Sequence, residues 1–228
     1  MPINMCSRST AWCFTSRGSV TSLPCGRWAC PECSKTLSFQ WAKRAKIGVG
    51  DKTAYFWTLT QPGTVHSANF AFEILPSQWD KLRRFCQHEW GKWSYFAVVE
   101  GQPRRGDMPH LHLLCFHEPP KRLKDIAVHC GFGYQAYVEV VRDKRAARYT
   151  SKYLTKQSPV TPVKFRRIRT SRDWPPLPPY DKEPYIVKSR NEHWLHFFLR
   201  AESVSGVDLQ LLIDRWCDAT GMEMGALL

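Results

Sequence analysis

The sequence lacks an apolar run long enough to cross a membrane, and it has neither an internal repeat nor an extended low-complexity tract. Its first residues, MPINMCSRSTAWCF, also lack the uninterrupted apolar segment of a secretory signal peptide. Acidic side chains are few, with 20 Asp and Glu against 33 Lys and Arg in 228 residues. We therefore expect a globular chain, 43% hydrophobic, in a reducing cytoplasm rather than a membrane or secreted protein.

The basic excess gives a formal net charge of +13, which favours a polyanionic partner, most simply nucleic acid. Much of this charge is clustered in residues 142–156 and 164–172. The alternative is a generic basic surface that only keeps the protein soluble, but such a surface does not require clusters. The expected DNA contacts are Arg145, Lys164, Arg166, Arg167 and Arg169.

Nine cysteines in a chain without a secretory signal favour metal binding over a disulfide framework. Cys25, Cys30 and Cys33 have the spacing C-x4-C-x2-C, which allows thiolates to fold around one zinc ion. Cys13 is our first choice for the fourth ligand, and Cys6 is the second. A closed site with four ligands would be structural rather than catalytic. The alternative is that reduced cysteines lie in an irregular segment.

The stretch Met108–Phe116, MPHLHLLCF, carries two histidines within an apolar run. Alternation along a strand would place His110 and His112 on one face, about 6–7 Å apart and close enough to share a metal ion. Glu100 ends the preceding strand, and in a tight hairpin its carboxylate would reach the same face. Two imidazoles and a carboxylate suit Mg²⁺ or Mn²⁺ with positions left open for substrate oxygens. The alternative is a pair of hydrogen-bonded core histidines.

A helix predicted over residues 142–156 presents two phenols and three cations on one face. These side chains are Arg145, Tyr149, Lys152, Tyr153 and Lys156. A phenol is a weak nucleophile at neutral pH, but a metal ion that polarises a phosphodiester and a neighbouring lysine would activate it. The alternative is that the tyrosines dock on the core with their hydroxyls among solvated lysines.

The predicted elements from residue 54 to residue 156 follow the order β-α-β-β-α-β-α. This order indicates an α+β fold with an antiparallel sheet of the split βαβ (RRM or ferredoxin-like) kind. The second element is a helix over Leu75–Trp90 with Pro76 in its first turn.

Composition predicts three parts of the chain. Residues 1–50 would form a cysteine-rich zinc-binding module with a basic helix, and residues 51–157 the core. Residues 158–228 would form a basic, proline-rich arm followed by C-terminal helices. We expect the arm, which includes KFRRIRTSR, to be at least partly ordered but not to join a sheet.

The motifs YFAVVE, MPHLHLLCF and RYTSKYLTK, in this order, resemble those of the HUH endonucleases. The stretch AYFWTLTQP resembles the first motif of that family, so that the resemblance covers Ala54–Lys156. CGRWACPECSK before it and FRRIRTSRDWP after it are similar to replication initiation proteins of small single-stranded-DNA phages and rolling-circle plasmids. The resemblance implies an HUH nuclease core in residues 51–157.

The resemblance also implies roles for individual residues. The divalent metal ligands of the family correspond to His110, His112 and, as the third polar ligand, Glu100. The family's nucleophiles and their helpers correspond to Tyr149, Tyr153, Lys152 and Lys156. The implied activity is a nick in one DNA strand at an origin, which leaves a 5′-phosphotyrosine and a free 3′-OH, followed by rejoining of strands.

Two other functions are alternatives: an HUH-type transposase and a non-catalytic, zinc-containing DNA-binding regulator. A regulator would explain the charge and the cysteines, but not the histidine pair or the tyrosine face. The expected partners are single-stranded or hairpin origin DNA and a host polymerase. Because the sequence has no Walker motif, the helicase would be a separate host protein. If a phage encodes the chain, the expected location is the cytoplasm of its host.

Overall fold

The structure is a computed structural model, and it describes residues 11–15, 20–23, 25–142, 161–162, 165–177, 185–189, 191–192, 196–197, 200–201 and 208–220. The chain forms two compact units, one of Met1–Thr36 with Pro178–Leu228 and the other of Leu37–Leu177. The boundaries that composition predicts, after residues 50 and 157, both fall inside the second unit. This unit therefore includes part of the predicted basic helix and part of the predicted arm.

The strands in the described residues are β1 (Ala11–Thr15), β2 (Val20–Ser22), β3 (Ala54–Leu59), β4 (Tyr95–Gln102), β5 (Met108–Cys115), β6 (Ala136–Val141), β7 (Ile168–Thr170) and β8 (Tyr185–Ser189). The α-helices whose bounds are described are α1 (Pro31–Val49), α2 (Ala68–Trp90), α3 (Leu123–His129) and α4 (Leu209–Thr220). A short 3-10 helix lies at Pro103–Arg105. Among the described residues, no helix combines the length and the apolar character needed to cross a membrane.

The first unit contains a small antiparallel sheet in which β1 pairs with β2 on one side and with β8 on the other. Phe14 of β1 is buried, and its ring centroid lies 4.8 Å from that of Phe197. Cys13 precedes Phe14 and is opposite Thr21 and Val187 in the two pairings. The sequence does not predict this sheet, because its strands are short and β8 comes from a distant part of the chain.

The second unit contains a five-stranded sheet in the order β6-β3-β5-β4-β7, and every neighbouring pair is antiparallel. Strand β5 lies between β3 and β4, the two strands that α2 connects. The predicted α+β fold with an antiparallel sheet is therefore confirmed. The expectation that the arm joins no sheet is wrong for Ile168–Thr170, because this segment pairs with the outer edge of β4 as β7.

Helix α2 begins earlier than the sequence predicts, at Ala68 rather than Leu75. Ser67 caps its N-terminus, since the Ser67 side chain accepts a hydrogen bond from the amide of Phe70 at 3.4 Å. Pro76 lies inside the helix, so the prediction that it occupies the first turn is wrong. The serine cap, rather than the proline, determines where the helix begins.

The alternation of side chains along the strands gives the five-stranded sheet two different faces. One face is apolar, carries residues such as Leu111, and is buried against α2 and α3. The other face is polar at its centre. We call it the histidine face and define it by Thr58, Glu100, His110 and His112. It is the face on which the candidate site lies.

Candidate metal centres

Strands β4 and β5 form a hairpin that places the candidate ligands side by side. Glu100 of β4 is directly opposite His110 of β5, and His112 is the next residue of β5 on the same face. The turn between the strands contains Gly106 and Asp107 in left-handed conformations, with φ of 61° and 62°. Gly adopts this conformation without strain, and Asp tolerates it better than most residues. The local sequence therefore closes the hairpin in the register that the site requires.

Glu100 and His112 are in direct contact on the histidine face. Oε2 of Glu100 lies 3.0 Å from Nε2 of His112, and the two side chains are 2% and 3% exposed. His110 is also buried, and its ring centroid lies 6.4 Å from that of His112. The structure thus brings together the carboxylate and the two imidazoles that the sequence analysis singled out.

The ring of His112 is held from two further directions. Its Nδ1 lies 3.1 Å from the hydroxyl of Thr58 on the neighbouring strand β3. Phe56 stacks on it, with ring centroids 5.5 Å apart and an angle of 15° between the ring planes. Partners of this kind fix the orientation of a metal-binding imidazole, because the second ring nitrogen is already engaged.

The donor set of Glu100, His110 and His112 suits a divalent cation, since it combines a carboxylate with two imidazoles. Because Nδ1 of His112 is already engaged by Thr58, a cation held by all three residues would bind Nε2 and replace its hydrogen bond with Glu100.

Arg167, which the sequence predicts to contact DNA, is buried beside this centre. Its carbonyl accepts a hydrogen bond from the amide of Val99 at 2.8 Å, and its Nε donates to the carbonyl of Val99 at 3.4 Å. Burial lowers the pKa of the Arg167 guanidinium, and the charge of Glu100 partly offsets this effect. Burial thus makes the Arg167 guanidinium less accessible to a phosphate than that of an exposed arginine, and its role in DNA binding stays a prediction.

The other described arginines of the arm differ in exposure. Arg166 is exposed, and its Nε donates to the carbonyl of Ile168 at 3.2 Å. Arg169 is partly buried, and its guanidinium carbon lies 5.3 Å from the ring centroid of Phe165. Burial, followed by the neighbouring charge of Arg166, lowers the pKa of Arg169. Arg166 is therefore the better placed of the two to contact a phosphate.

The remaining predicted site residues lie outside the described part of the chain. They are Cys6, Arg145, Tyr149, Lys152, Tyr153, Lys156 and Lys164. The tyrosines belong to the segment that follows β6, the strand next to β3 in the sheet. Their roles stay predictions from the sequence.

A second candidate metal centre lies at the start of α1. The ligand atoms of Cys25, Cys30 and Cys33 all lie within 4.8 Å of one another, and the Sγ atoms of Cys25 and Cys33 are 3.6 Å apart. The helix begins at Pro31, so its first turn brings Cys30 and Cys33 to the same side. Three clustered thiols fit a thiophilic ion such as zinc.

Cys13, our first choice for the fourth ligand, is not part of this group. It is half-buried in β1, and burial raises the pKa of its thiol. Glu32 is nearer to the cluster, because its Oε2 lies 3.0 Å from Sγ of Cys30. The described residues therefore supply three sulfur ligands for this centre, and the alternative fourth ligand, Cys6, lies outside them.

An aromatic cluster at one end of the histidine face was missed by the sequence analysis. The ring of Trp174 is buried, and its centroid lies 5.6 Å from those of Phe96 and Phe116. Gly48 of α1 lies so close to the indole that a Cβ there would be 2.2 Å from a ring atom. Arg44 donates to the carbonyl of Trp174 at 3.3 Å. The only sequence signals were a glycine inside a helix and a tryptophan after a basic segment, and no local pattern links them.

Residues 54–158 match the model of a protein family described as replication-associated protein ORF2/G2P. The matched segment begins with β3 and includes β4 and β5, and so it contains all four residues that define the histidine face. No curated protein and no solved structure matches the chain. The family match confirms the resemblance to rolling-circle replication proteins that the motifs indicated.

Proposed function

We propose that the chain, whose residues 54–158 match the model of the replication-associated protein ORF2/G2P family, starts rolling-circle replication by nicking one DNA strand at an origin. The observation that carries this proposal is the contact of 3.0 Å between Glu100 and His112, with His110 beside it on the same face. Burying such groups costs free energy, so a purely structural role would favour apolar side chains here. The net charge of +13 supports a DNA substrate.

In this proposal Glu100, His110 and His112 hold a divalent cation such as Mg²⁺ or Mn²⁺. When bound, this ion would act as a Lewis acid on a phosphodiester oxygen. Thr58 and Phe56 keep the imidazole of His112 oriented before the substrate arrives, through the hydrogen bond and the stacking contact described above. The sheet thus supplies a ligand set whose backbone positions are fixed.

The nucleophile in this proposal is a tyrosine of the segment after β6, either Tyr149 or Tyr153. Its phenolic oxygen forms a bond to phosphorus while the bond to the 3′ oxygen breaks. The phenol loses its proton, and the departing 3′ oxygen takes up a proton to become the free 3′-OH that primes a host polymerase. Lys152 and Lys156 favour the phenolate through their positive charge. The 5′ phosphate stays on tyrosine, so attack by a 3′-OH in the reverse direction rejoins the strand.

We also propose that the cysteine cluster at the start of α1 binds a structural zinc ion. The support is the close grouping of Cys25, Cys30 and Cys33, two of which are buried. When bound, zinc would crosslink the segment before α1 to the first turn of the helix. The cysteine-rich module is too small to be stabilised by a large core, and a metal crosslink of this kind offsets that deficit.

The test is incubation with single-stranded oligonucleotides that tile the DNA element encoding the chain, followed by denaturing electrophoresis. We expect one oligonucleotide to form a covalent protein adduct in Mn²⁺ and none to do so in a chelator. Binding in native gels without any covalent adduct would support a zinc-containing DNA-binding regulator instead. Adducts formed with transposon ends but not with a replication origin would support an HUH-type transposase.

A further inference from the structure

An exposed tyrosine lies on the histidine face at the other side of the sheet from β7. Tyr137 of β6 is 56% exposed. In the backbone register Tyr137 is opposite Thr58, and Thr58 is opposite His112. Strand β3 lies between the strands of these two residues, and neighbouring strands are about 4.8 Å apart. The Cα of Tyr137 is therefore about 10 Å from that of His112. The phenol ring is therefore a near neighbour of the candidate metal centre on the same face.

The segment that carries Tyr137 is held to the end of β3 by hydrogen bonds. The Tyr137 hydroxyl donates to Oε1 of Gln135 at 2.9 Å, and the Gln135 carbonyl accepts a hydrogen bond from the hydroxyl of Thr60 at 3.1 Å. The amide of Gly133 donates to the carbonyl of Thr60 at 2.7 Å. A Cβ at Gly133 would lie 2.5 Å from the carbonyl oxygen of Gln61, so the approach requires glycine. The ring is thus ordered before any ligand binds, which reduces the entropy lost on binding.

An exposed, ordered aromatic ring on an open sheet face is suited to stack on an unpaired nucleic-acid base. Paired bases in a duplex do not offer their faces, so the fitting partner is single-stranded. Glu139, the next residue of β6 on this face, is also exposed, and its carboxylate would repel a phosphate. The carboxylate of Glu139 therefore favours a base, rather than the phosphate backbone, over this part of the sheet. The overall charge of +13 attracts the DNA strand as a whole.

We infer that Tyr137 is a stacking platform for an unpaired base of the DNA strand that is cut at the histidine face. This inference rests on the proposed function and deepens it by assigning a base subsite. At about 3.4 Å per stacked nucleotide, the separation of about 10 Å corresponds to at most about three nucleotides from the cut. A base held at Tyr137 would set the register of the strand, and so would help to select which phosphodiester reaches the metal centre.

The test measures binding of a fluorescently labelled single-stranded oligonucleotide by anisotropy without added Mg²⁺ or Mn²⁺, so that no cutting occurs. Tyr137→Ala and Tyr137→Leu remove the aromatic ring, and we expect them to weaken binding by roughly 5- to 150-fold. Tyr137→Phe keeps the ring, and we expect binding within about twofold of the unchanged protein, since stacking does not need the hydroxyl. The slope of log affinity against log salt should not change, because the ring replaces no counterion.

Two exposed residues nearby provide matched controls. Tyr134 is 63% exposed, but its ring lies 5.2 Å from Nζ of Lys124 on the helix side, and Tyr134→Ala should bind normally. Val140 has the same 56% exposure as Tyr137 on the same strand but lies on the opposite face, and Val140→Ala should also bind normally. Thermal unfolding of each variant shows whether a loss of binding comes from a loss of folding.

A second set of oligonucleotides, each with one abasic position, identifies the base that stacks. We expect one abasic position to weaken binding of the unchanged protein and to have no effect on Tyr137→Leu. Unchanged binding by a folded Tyr137→Leu variant, or equal losses in Tyr137→Phe and Tyr137→Leu, would overturn the inference. The adduct assay tests the proposed nicking activity separately. Base-dependent binding without any adduct would reject the nickase proposal but support the base subsite. Adduct formation without base-dependent binding at Tyr137 would support the nickase proposal but reject the base subsite.

Discussion

The carboxylate of Glu100 and the imidazole of His112 are hydrogen-bonded inside the second unit, with Oε2 and Nε2 3.0 Å apart. Their contact is diagonal, because the residue directly opposite Glu100 is His110. A divalent cation at this site would therefore replace an existing contact between buried polar groups. Removal of either partner would leave the other buried without it, which destabilises the fold as well as the site.

Two substitutions should remove ligands of the metal site without removing the hydrogen bond at position 112 that stabilises the fold. Glu100→Gln keeps the size of the side chain and a hydrogen-bonding oxygen, and His110→Ala leaves the Glu100–His112 contact in place. We expect both to reduce adduct formation in Mn²⁺ by about 100-fold or more, since ligands for the cation are lost. DNA affinity should change little, because Lys and Arg contacts to phosphates dominate it. Denaturing gels measure the adduct, and anisotropy measures the affinity.

The matched control for the metal site is His129→Ala, which removes an exposed imidazole from the last turn of α3. This variant should form the adduct at the normal rate. Full adduct formation by a variant with both His110→Ala and His112→Ala would show that the histidines hold no catalytic metal.

The arrangement of Glu100, His110 and His112 could be predicted because it depends on local rules. Alternation along a strand puts the two histidines on one face, and a hairpin turn that contains Gly106 puts Glu100 opposite one of them. Both rules act within a short stretch of sequence, so the pattern of residues contains the necessary information.

The burial of Arg167 and Trp174 could not be predicted, because it depends on pairing between distant segments. Strand β7 has only three residues, Ile168–Thr170, and its sequence is as basic as that of an exposed arm. What makes it a strand is the free edge of β4, which exists only once the sheet has formed. The close approach of Gly48 to Trp174 depends in the same way on where β7 leads the chain.

The contrast between Arg166 and Arg167 leads to the second prediction. Arg167→Ala should lower the free energy of unfolding by about 1–3 kcal/mol, because the buried hydrogen bond to Val99 and the charge facing Glu100 are lost. Arg166→Ala should leave stability unchanged and reduce the salt slope of DNA binding by about one, as expected for one phosphate contact. Urea unfolding and anisotropy across a salt series measure the two effects. An unchanged salt slope for Arg166→Ala would show that Arg166 does not contact a phosphate.

The third prediction concerns zinc. Protein purified without chelators should contain about one zinc per chain, and Cys30→Ser or Cys33→Ser should lose it and destabilise the first unit. Cys13→Ser should keep the metal, because Cys13 is not part of the thiol cluster. Cys217→Ser, in α4, is the control for loss of any cysteine. Elemental analysis gives the zinc content, and its absence from the unchanged protein would rule out this centre.

The fourth prediction follows from a buried thiol of the main core. Burial raises the pKa of Cys115 from 9.0 to about 12. Between these two values the unfolded chain loses the proton and the folded chain keeps it. This thiol's contribution to stability is therefore fully present below pH 9 and falls by about 1.4 kcal/mol per pH unit as the pH rises towards 12. Cys115→Ala should make the alkaline loss of stability shallower in urea unfolding, and equal slopes for this variant and the unchanged protein would contradict this account.

The last prediction concerns the order in which the tyrosines react. On the predicted helix, Tyr149 has Lys152 one turn ahead and Arg145 one turn behind, whereas Tyr153 has Lys156 ahead and Tyr149 behind. Two flanking cations favour the phenolate more than one does, so Tyr149 should make the first cut and Tyr153 the second transfer. Tyr149→Phe should then prevent the first adduct, while Tyr153→Phe should allow it and impair turnover. Mass spectrometry of the peptide–DNA adduct after one round identifies the residue, and an adduct found on Tyr153 alone in the unchanged protein would reverse the order.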